Sequence, residues 1–220
     1  MPADPRLLVF CDVDETLIHC KSVLDFLPYY WTGRHGPAGT RRAEAIVARL
    51  TAMLAGGAPR EEANAAYHRS WRGEDLADVD LWARKWFDER SAAPDFWVPA
   101  TARALRRHRA EGAAVVLVSG SLPSLLRPVA EAVGAYQALG ACPEHENGVL
   151  TGATRGLPAV GEGKRALVRE VLARHPRIPP EDCWAYGDHP SDLPMLACVG
   201  HPRLLTPSGT LITPPCAVRA

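Results

Sequence analysis

Three short apolar runs, each followed directly by polar residues, constrain the fold of this chain more than any other feature of its sequence. They read LLVF from Leu7, AVVLV from Ala114 and CWAY from Cys183. None of them alternates apolar with polar residues, as a strand with one solvent-exposed face would. We therefore predict three buried strands of a parallel sheet that is covered on both faces.

Helical patterns accompany two of these runs. PSLLRPVAEAV follows the second run, and KRALVREVLA precedes the third and places Leu167, Val168, Val171 and Leu172 on one face. Strands that alternate with helices are typical of α/β proteins. The predicted fold class is therefore α/β, built on an open parallel sheet.

A long stretch without a convincing strand separates the first two runs. It extends from Ser22 to Glu111 and contains several helical patterns, broken near residues 33–39, 56–59, 73 and 94. Ordinary crossover connections are far shorter, so we predict an inserted helical cap at residues 19–111. Residues 1–18 and 112–220 would then form the core domain, in which GVLTGATR after HEN predicts a short hairpin.

Charge and hydropathy limit the partners and the location of the protein. The 25 basic and 25 acidic residues cancel, so no strong field attracts nucleic acid or an anionic membrane surface, and a small molecule is the expected partner. LLVFCDV is too short and too acidic for a signal-peptide core, and the longest uncharged stretch, from Gly112, is shorter than a membrane span. We expect a cytoplasmic protein, and its oligomeric state stays open.

The cysteines agree with this location. They are scattered without the close pairs of zinc sites or redox motifs. We interpret them as buried free thiols, with disulfides as the alternative that an even number leaves open. The six are Cys11, Cys20, Cys142, Cys183, Cys198 and Cys216.

Polar side chains follow all three predicted strands. A single acid after a strand is more often an ordinary turn residue than part of a site. The carboxyl ends of parallel strands, however, meet at one edge of the sheet, so three polar strand ends together predict a binding site there. The candidates are Asp12, Asp14 and Thr16 after the first strand, Ser119 and Gly120 after the second, and Asp188 and Asp192 after the third.

The chemistry of this set points to a metal and a phosphoryl group. Carboxylates without histidine or cysteine ligands form a hard oxygen site, which suits Mg²⁺ better than zinc. A hydroxyl, exposed glycine amides and a lysine suit phosphoryl oxygens. The lysine candidate is Lys164, at the start of a predicted helix. The alternative interpretation is that Lys164 is a solvated residue of the first helical turn without a role in binding.

Four segments of the chain resemble, in order and spacing, the motifs of the haloacid dehalogenase superfamily of aspartate-nucleophile phosphatases. They are DVDET at 12–16, VVLVSGS at 115–121, Lys164, and YGDHPSDLPML at 186–196. A helical insertion directly after the first motif is similar to the cap of the phosphoserine-phosphatase-like branch. The resemblance implies a Rossmann-like core with an inserted helical cap, and hydrolysis of a phosphate monoester of a small metabolite.

The resemblance also implies a role for each candidate residue. Asp12 would attack phosphorus and become an aspartyl-phosphate, and Asp14 would protonate the leaving oxygen and then activate water. Thr16, Ser119, Lys164 and the Gly120 amide would hold phosphoryl oxygens, and Mg²⁺ would bind Asp12, Asp188 and the backbone carbonyl of Asp14, with Asp192 nearby.

Several alternatives remain open within this interpretation. Asp14 favours phosphate over carbon–halogen chemistry, because a halide leaving group needs no proton. Two features differ from the residues typical of phosphoserine phosphatase itself. They are Glu15 and the segment GDHPSD in the fourth motif. A phosphotransferase that uses an acceptor alcohol, or a phospho-aspartate signalling module, would use similar residues.

The cap is expected to choose the substrate. Most of its tryptophans are predicted to pack its own core rather than to line a pocket. Four charged or titratable residues are candidates for contacting a second anionic group of the substrate, with solvation as the alternative for each. They are His19, Lys21, Arg34 and His35.

Overall fold

The three predicted strands are neighbours at the centre of a mostly parallel sheet. The computed structural model describes residues 5–214, and its strands are β1 (Leu8–Cys11), β2 (Ala114–Val118), β3 (Gln137–Leu139), β4 (Pro143–Glu146), β5 (Val149–Thr154), β6 (Trp184–Gly187), β7 (His201–Leu205) and β8 (Leu211–Ile212). The main sheet has the order β3-β2-β1-β6-β7-β8, and only β8 is antiparallel to its neighbour among these strands.

The central strands are continuous apolar runs because both of their faces are buried. Val9 lies opposite Val115 on one side and Trp184 on the other. Val9 and Cys11 belong to one buried cluster, whereas Leu8 and Phe10 belong to a second. The sequence pattern missed β3 and β7, which contain polar residues, and β8, which has only two residues. All three lie toward the two edges of the sheet.

Helices cover both faces of the sheet, as predicted. The helices are α1 (Ser22–Ala55), α2 (Arg60–Arg69), α3 (Leu76–Ser91), α4 (Pro99–Ala110), α5 (Pro123–Val133), α6 (Glu162–Arg174) and α7 (Leu193–Leu196). Leu125 and Val129 of α5 pack into the cluster on one face, and Val168 and Val171 of α6 pack into the cluster on the other. The α/β, Rossmann-like fold class is confirmed.

The long connection between β1 and β2 is helical throughout. α1 is kinked at Gly36, whose φ of 60° and ψ of −145° fall outside the helical region, within the predicted break at residues 33–39. The tryptophans of this segment pack mainly against one another and against its other rings. The rings of Phe26 and Trp71 stack at 5.5 Å, and Trp86 meets Phe26 edge-on at 6.1 Å.

Helix α4 packs on the sheet, although it lies within the predicted cap. Leu105 and His108 are buried, and Nε2 of His108 lies 2.7 Å from the Tyr186 hydroxyl oxygen on β6. We therefore propose that the cap consists of α1 to α3 and ends before residue 99, and that α4 belongs to the core domain. The boundary predicted from the sequence, at residue 111, includes α4 in the cap. A helix that packs on the sheet and a helix of the cap show the same periodicity in sequence, so the pattern could not separate them.

The predicted hairpin is confirmed. β4 and β5 pair antiparallel around Asn147 and Gly148, whose φ values of 50° and 84° suit the tight turn that joins two such strands. The Leu76 amide donates to the Gly148 carbonyl at 2.8 Å, and the Gly73 amide donates to the Leu150 carbonyl at 2.9 Å. The hairpin is thereby connected to the loop between α2 and α3.

The cysteines within residues 5–214 are free, as predicted. Cys11 and Cys183 are buried, and Cys20 and Cys198 are partly buried. Cys142 is exposed, so the prediction of burial was wrong at that position. Cys142 lies in the loop between β3 and β4. Cys216 lies outside the described residues. None of the helices in the described part of the chain combines the length and the hydropathy needed to cross a membrane.

Candidate active site

Three aspartates meet where β1 and β6 end. One carboxylate oxygen each of Asp12, Asp188 and Asp192 lies within 4.8 Å of the other two. The Asp12 amide donates to the Tyr186 carbonyl at 2.9 Å, so the parallel pairing of β1 with β6 extends to the first residue of the site. Asp12 and Asp192 are buried, and Asp188 is half-buried.

Lys164 is buried between two of these carboxylates. Its Nζ lies 2.6 Å from Oδ1 of Asp12 and 2.6 Å from Oδ1 of Asp192. Burial alone would lower the pKa of Lys164, but the Asp12 and Asp192 carboxylates outweigh this effect and raise its pKa above the ordinary value. The ammonium is therefore charged, and the alternative of a solvated first-turn lysine was wrong.

Asp192 holds the loop that carries Asp188. Its Oδ2 accepts from the amides of Asp188 at 3.3 Å and His189 at 3.2 Å. The side chain also passes close to the backbone of Gly187, where an added Cβ would lie 2.6 Å from the Cβ of Asp192. Both carboxylate oxygens of Asp192 thus bind protein groups, namely Lys164 and two backbone amides, whereas the carboxylate of Asp188 is partly exposed.

Thr16 lies at the site but does not line the cavity. Its hydroxyl is 2.7 Å from Oδ1 of Asp188 and 3.3 Å from Oδ2 of Asp12, and the side chain is fully buried. A hydroxyl pointed at two carboxylates positions them. The expected contact of Thr16 with a phosphoryl oxygen is therefore not supported by this geometry, since the motif spacing carries no information on the direction of the side chain.

Asp14 differs from Asp12 in its surroundings. Its Oδ1 is buried and has no hydrogen-bond partner among the described residues. Burial raises the pKa of Asp14 to about 6, and the nearby Ser22 opposes this shift. Two carboxyl groups that are two residues apart therefore differ in their partners: Asp12 is paired with the Lys164 ammonium, whereas Oδ1 of Asp14 has no partner among the described residues. Burial raises the pKa of both groups.

Glu15 is paired with a lysine at the start of the cap and is not part of the aspartate cluster. Its φ of 59° is in the left-handed region, which is unusual for a residue other than glycine and marks the turn after β1. The side chain forms an ion pair with Lys21, with Oε2 and Nζ 3.2 Å apart and both side chains about 40% exposed. This pair accounts for a residue that the motif comparison left unexplained.

The end of β2 is connected to the cap by two side chains of α2. Ser119 is buried, and its Oγ accepts from the Ser121 amide at 3.2 Å. The carbonyl of Gly120 accepts from Nδ2 of Asn64 at 2.9 Å and from Nε2 of His68 at 3.2 Å. Burial lowers the pKa of His68 to about 4, so the ring is neutral. Sequence analysis missed Asn64 and His68, because a polar residue on a cap helix resembles any solvated one.

These elements enclose a cavity of about 150 Å³ between the sheet edge and the cap. Seven of the eight predicted site residues line it, the exception being Thr16. Of the cap candidates for an anionic group, Lys21 lines the cavity; Arg34 instead pairs with Asp78. His35 pairs with Glu74, and His19 lines a separate cavity. Arg60, at the start of α2, also lines the cavity and was not singled out from the sequence.

Comparison with known proteins assigns the chain to a family. The profile of the haloacid dehalogenase-like hydrolases matches residues 9–197, which include every predicted site residue. The chain is a member of the haloacid dehalogenase-like hydrolase family. The resemblance seen in the four sequence motifs is confirmed.

Relatives of this hydrolase include proteins of similar sequence and of similar fold. A Mycobacterium tuberculosis protein named as a probable phosphatase is 31% identical over 207 residues, which cover 92% of this chain and 69% of that protein. A protein of unknown function from Bordetella pertussis Tohama I matches with a TM-score of 0.76 at 25% identity, over 91% and 89% of the two chains. A phosphoserine phosphatase described as a phospho-aspartyl intermediate analogue shares the fold, with a TM-score of 0.64 and 17% identity over 90% and 86%.

The carboxylates of this hydrolase carry more negative charge than Lys164 balances. Burial raises the pKa of Asp12, and Asp192 adds to the shift while Lys164 opposes it. Burial also raises the pKa of Asp188, where Thr16 opposes the shift and Asp192 adds to it. A divalent cation would supply the missing positive charge, and oxygen donors of this kind suit a hard cation. The residues present therefore fit a divalent metal ion.

Replacing Lys164 by methionine is expected to destabilise the hydrolase by about 3–5 kcal/mol, because the buried carboxylates of Asp12 and Asp192 would lose their countercharge. Urea denaturation in the absence of divalent ions measures the change. The matched control is Lys85→Met, which removes an exposed lysine that lies over the Trp82 ring and should change the free energy of unfolding by no more than about 1 kcal/mol. Equal stabilities of the two variants would contradict the buried ion-pair arrangement.

Proposed function

We propose that this hydrolase cleaves phosphate monoesters of small metabolites, with Asp12 as the nucleophile. The observation that carries the proposal is the contrast in partners between two carboxyl groups. Asp12 is held by the Lys164 ammonium at 2.6 Å, whereas Oδ1 of Asp14 has no hydrogen-bond partner among the described residues, and burial raises the pKa of Asp14 to about 6. A carboxylate beside a cation can act as a nucleophile, and a carboxyl of raised pKa can donate a proton near neutral pH. Both line the same cavity.

The reaction would proceed in two steps. An oxygen of Asp12 attacks phosphorus while the bond to the ester oxygen breaks, and the Asp14 carboxyl gives its proton to that oxygen, so the alcohol leaves and an aspartyl-phosphate remains. Asp14 then takes a proton from water as the water oxygen attacks phosphorus. The bond between phosphorus and Asp12 breaks, which releases phosphate and restores both carboxyl groups.

Three groups of the core would position the phosphoryl oxygens. The Lys164 ammonium, the Ser119 hydroxyl and the Gly120 amide all belong to residues that line the cavity. Asn64 and His68 hold the carbonyl of Gly120 and thereby orient this part of the backbone. Positioning and charge stabilisation account for most of the catalysis of phosphoryl transfer, so precise placement of this loop is expected to matter.

We further propose Mg²⁺ as the cation. Asp12, Asp188 and the backbone carbonyl of Asp14 would hold it, whereas Asp192 and Thr16 would orient these ligands through the contacts described above. When bound, the ion offsets the negative charge of the carboxylates and of the phosphate. An all-oxygen donor set without histidine or cysteine is the set that Mg²⁺ prefers.

The relatives support this reaction class. One is named as a probable phosphatase, and a solved protein of the same fold is described as a phospho-aspartyl intermediate analogue. The proposed location is the cytoplasm, in keeping with the free thiols of the described cysteines. Phosphate release from a panel of phosphorylated metabolites with Mg²⁺ present tests the function. The absence of release from every ester, and also from the acyl phosphate acetyl phosphate, would refute it.

Removal of divalent ions by a chelator is expected to abolish phosphate release, and added Mg²⁺ is expected to restore it. Mg²⁺ should also raise the melting temperature, because it relieves repulsion between Asp12 and Asp188 in the folded state alone. Differential scanning calorimetry measures this shift without reference to activity. In the variant Asp188→Asn, Mg²⁺ should raise the melting temperature by less than in the wild type. An equal rise in both proteins would show that the ion binds at another site.

A further inference from the structure

Helix α2 and the turn after it face the core domain with polar side chains. Asn64 and His68 are four residues apart, so they lie on the same face of the helix. Both reach the carbonyl oxygen of Gly120, at 2.9 Å and 3.2 Å. Arg72, in the turn after α2, donates from Nε to the Thr151 carbonyl at 2.9 Å. The cap is therefore connected to the core by side chains that end on backbone carbonyls.

Gly120 is approached closely by α2. A Cβ atom added at this residue would lie 2.8 Å from Nδ2 of Asn64 and 3.1 Å from Cγ2 of Val160. The first separation is too short for two such atoms, so a side chain at residue 120 would push the Asn64 amide off the carbonyl. Two donors of the cap can reach this part of the backbone because residue 120 has no side chain.

The contact of α2 with the Gly120 carbonyl extends to the next amide. The Gly120 carbonyl and the Ser121 amide belong to one peptide unit, which is planar, so the direction of the carbonyl fixes the direction of the amide. The Ser121 amide donates to Oγ of Ser119 at 3.2 Å. Through one peptide plane, the two side chains of α2 thus fix a donor that points at the Ser119 hydroxyl.

This amide determines what the Ser119 hydroxyl can do. A hydroxyl oxygen that accepts from the Ser121 amide keeps its own proton for donation to another acceptor. Ser119 lines the same cavity as Asp12 and Lys164. A phosphoryl oxygen bound in this cavity would accept that proton, so the direction of the Ser121 amide makes Ser119 a donor to the phosphoryl group.

The two donors of α2 are uncharged. A carbonyl oxygen can only accept, so Nε2 of His68 carries the proton in the contact with Gly120. His68 is 3% exposed, and burial lowers its pKa to about 4, so the ring stays neutral near pH 7. The side-chain amide of Asn64 is neutral at every pH. Both contacts therefore orient the peptide without adding a charge to the cavity.

We propose that Asn64 and His68 are positioning residues of the phosphoryl-transfer reaction, which act through the peptide unit of Gly120 and Ser121 on the hydroxyl of Ser119. The proposal rests on the proposed phosphatase function. Both residues belong to the cap, so the cap helps to build the phosphoryl-binding part of the core. Correct placement of a donor stabilises the transition state more than the bound ester, and its loss lowers turnover more than binding.

A double-mutant cycle with Ser119 tests the proposal, with para-nitrophenyl phosphate and acetyl phosphate as the probes and Mg²⁺ present. The double variant Asn64→Leu/His68→Phe removes both donors and nearly keeps the side-chain volumes. We expect kcat to fall about 30-fold and KM to change less than about threefold. In the Ser119→Ala background, the same two substitutions should lower kcat less than about threefold, because the hydroxyl on which they act is gone.

Equal losses in the two backgrounds would overturn the proposal, since Asn64 and His68 would then act on the substrate or on folding and not through Ser119. Circular dichroism shows whether the double variant is folded. If it is not, Asn64→Leu alone, at a partly buried position, enters the same cycle with an expected loss in kcat of about tenfold.

Two further variants separate positioning from a general role in stability. His68→Gln places an amide nitrogen near the position of Nε2 and should keep kcat within about threefold of the wild type, whereas His68→Phe should lower kcat about tenfold. Arg72→Met removes a donor from the Thr151 carbonyl and should leave kcat unchanged. Equal kcat values for His68→Gln and His68→Phe, or a loss with Arg72→Met as large as with the double variant, would overturn the proposal.

The outcomes also separate this proposal from the function on which it rests. Phosphate release by the wild type, together with equal losses in the two Ser119 backgrounds, would overturn the role of Asn64 and His68 and leave the phosphatase function intact. Failure of the wild type to release phosphate from either probe would overturn the function and the positioning role with it.

Discussion

The variant Asp12→Asn is expected to lower kcat by about 10⁴-fold or more with every phosphate ester. An amide nitrogen or oxygen in place of the carboxylate cannot attack phosphorus at a useful rate, so the covalent route is lost rather than slowed. The change is nearly isosteric, and Lys164 keeps its contact with Asp192 at 2.6 Å. The loss should therefore appear in turnover and not in folding.

The measurement combines turnover with detection of the intermediate. Wild-type enzyme, quenched in acid during the reaction, should retain one labelled phosphate per active site, and the variant none. Asp88→Asn is the matched control, since it changes an exposed aspartate on α3 and should leave kcat within about twofold. Substantial activity of Asp12→Asn, with circular dichroism equal to that of the wild type, would refute Asp12 as the nucleophile.

The variant Asp14→Asn is expected to lower kcat for alkyl phosphates by about 10²–10⁴-fold, the usual contribution of a general acid and base. The loss should depend on the leaving group. An alkoxide needs the proton that Asp14 supplies, whereas acetate leaves acetyl phosphate without one. The first step should therefore be nearly normal with acetyl phosphate, and the second step should be slow because water is no longer activated.

Rapid-quench kinetics can separate these two steps. With acetyl phosphate, Asp14→Asn should give a full burst of aspartyl-phosphate that decays slowly; with alkyl phosphates it should give little burst. The same control, Asp88→Asn, should behave as the wild type. If the variant lost the same factor with both leaving groups, Asp14 would be acting on binding or folding and not on proton transfer.

The central strands and the residues directly after them could be predicted from the sequence because their signal is local. A run such as AVVLV before Ser119 is apolar throughout, since the strand is buried on both faces, and this pattern is unaffected by the rest of the chain. The convergence of Asp12 and Asp188 then follows from the parallel pairing of β1 with β6. Lys164 required the resemblance to a family, because a lysine in the first turn of a helix is ambiguous by itself.

Other parts of the site could not be predicted in this way. The side chain of Thr16 contacts Asp12 and Asp188 rather than the cavity, and its direction depends on the left-handed turn at Glu15. Helix α4 has the same periodicity as the cap helices, and only its packing against β2 and β6 separates it from them.

The sequence by itself determined the fold class, the edge of the sheet at which the site lies and the acidic residues that form it. These features depend on short segments whose hydropathy and turn chemistry are fully present in the local sequence. Only the tertiary structure placed Asn64 and His68 of α2 beside Gly120. Contacts between residues more than fifty positions apart depend on how two helices and a sheet pack, and no pattern within either segment encodes the distance between them.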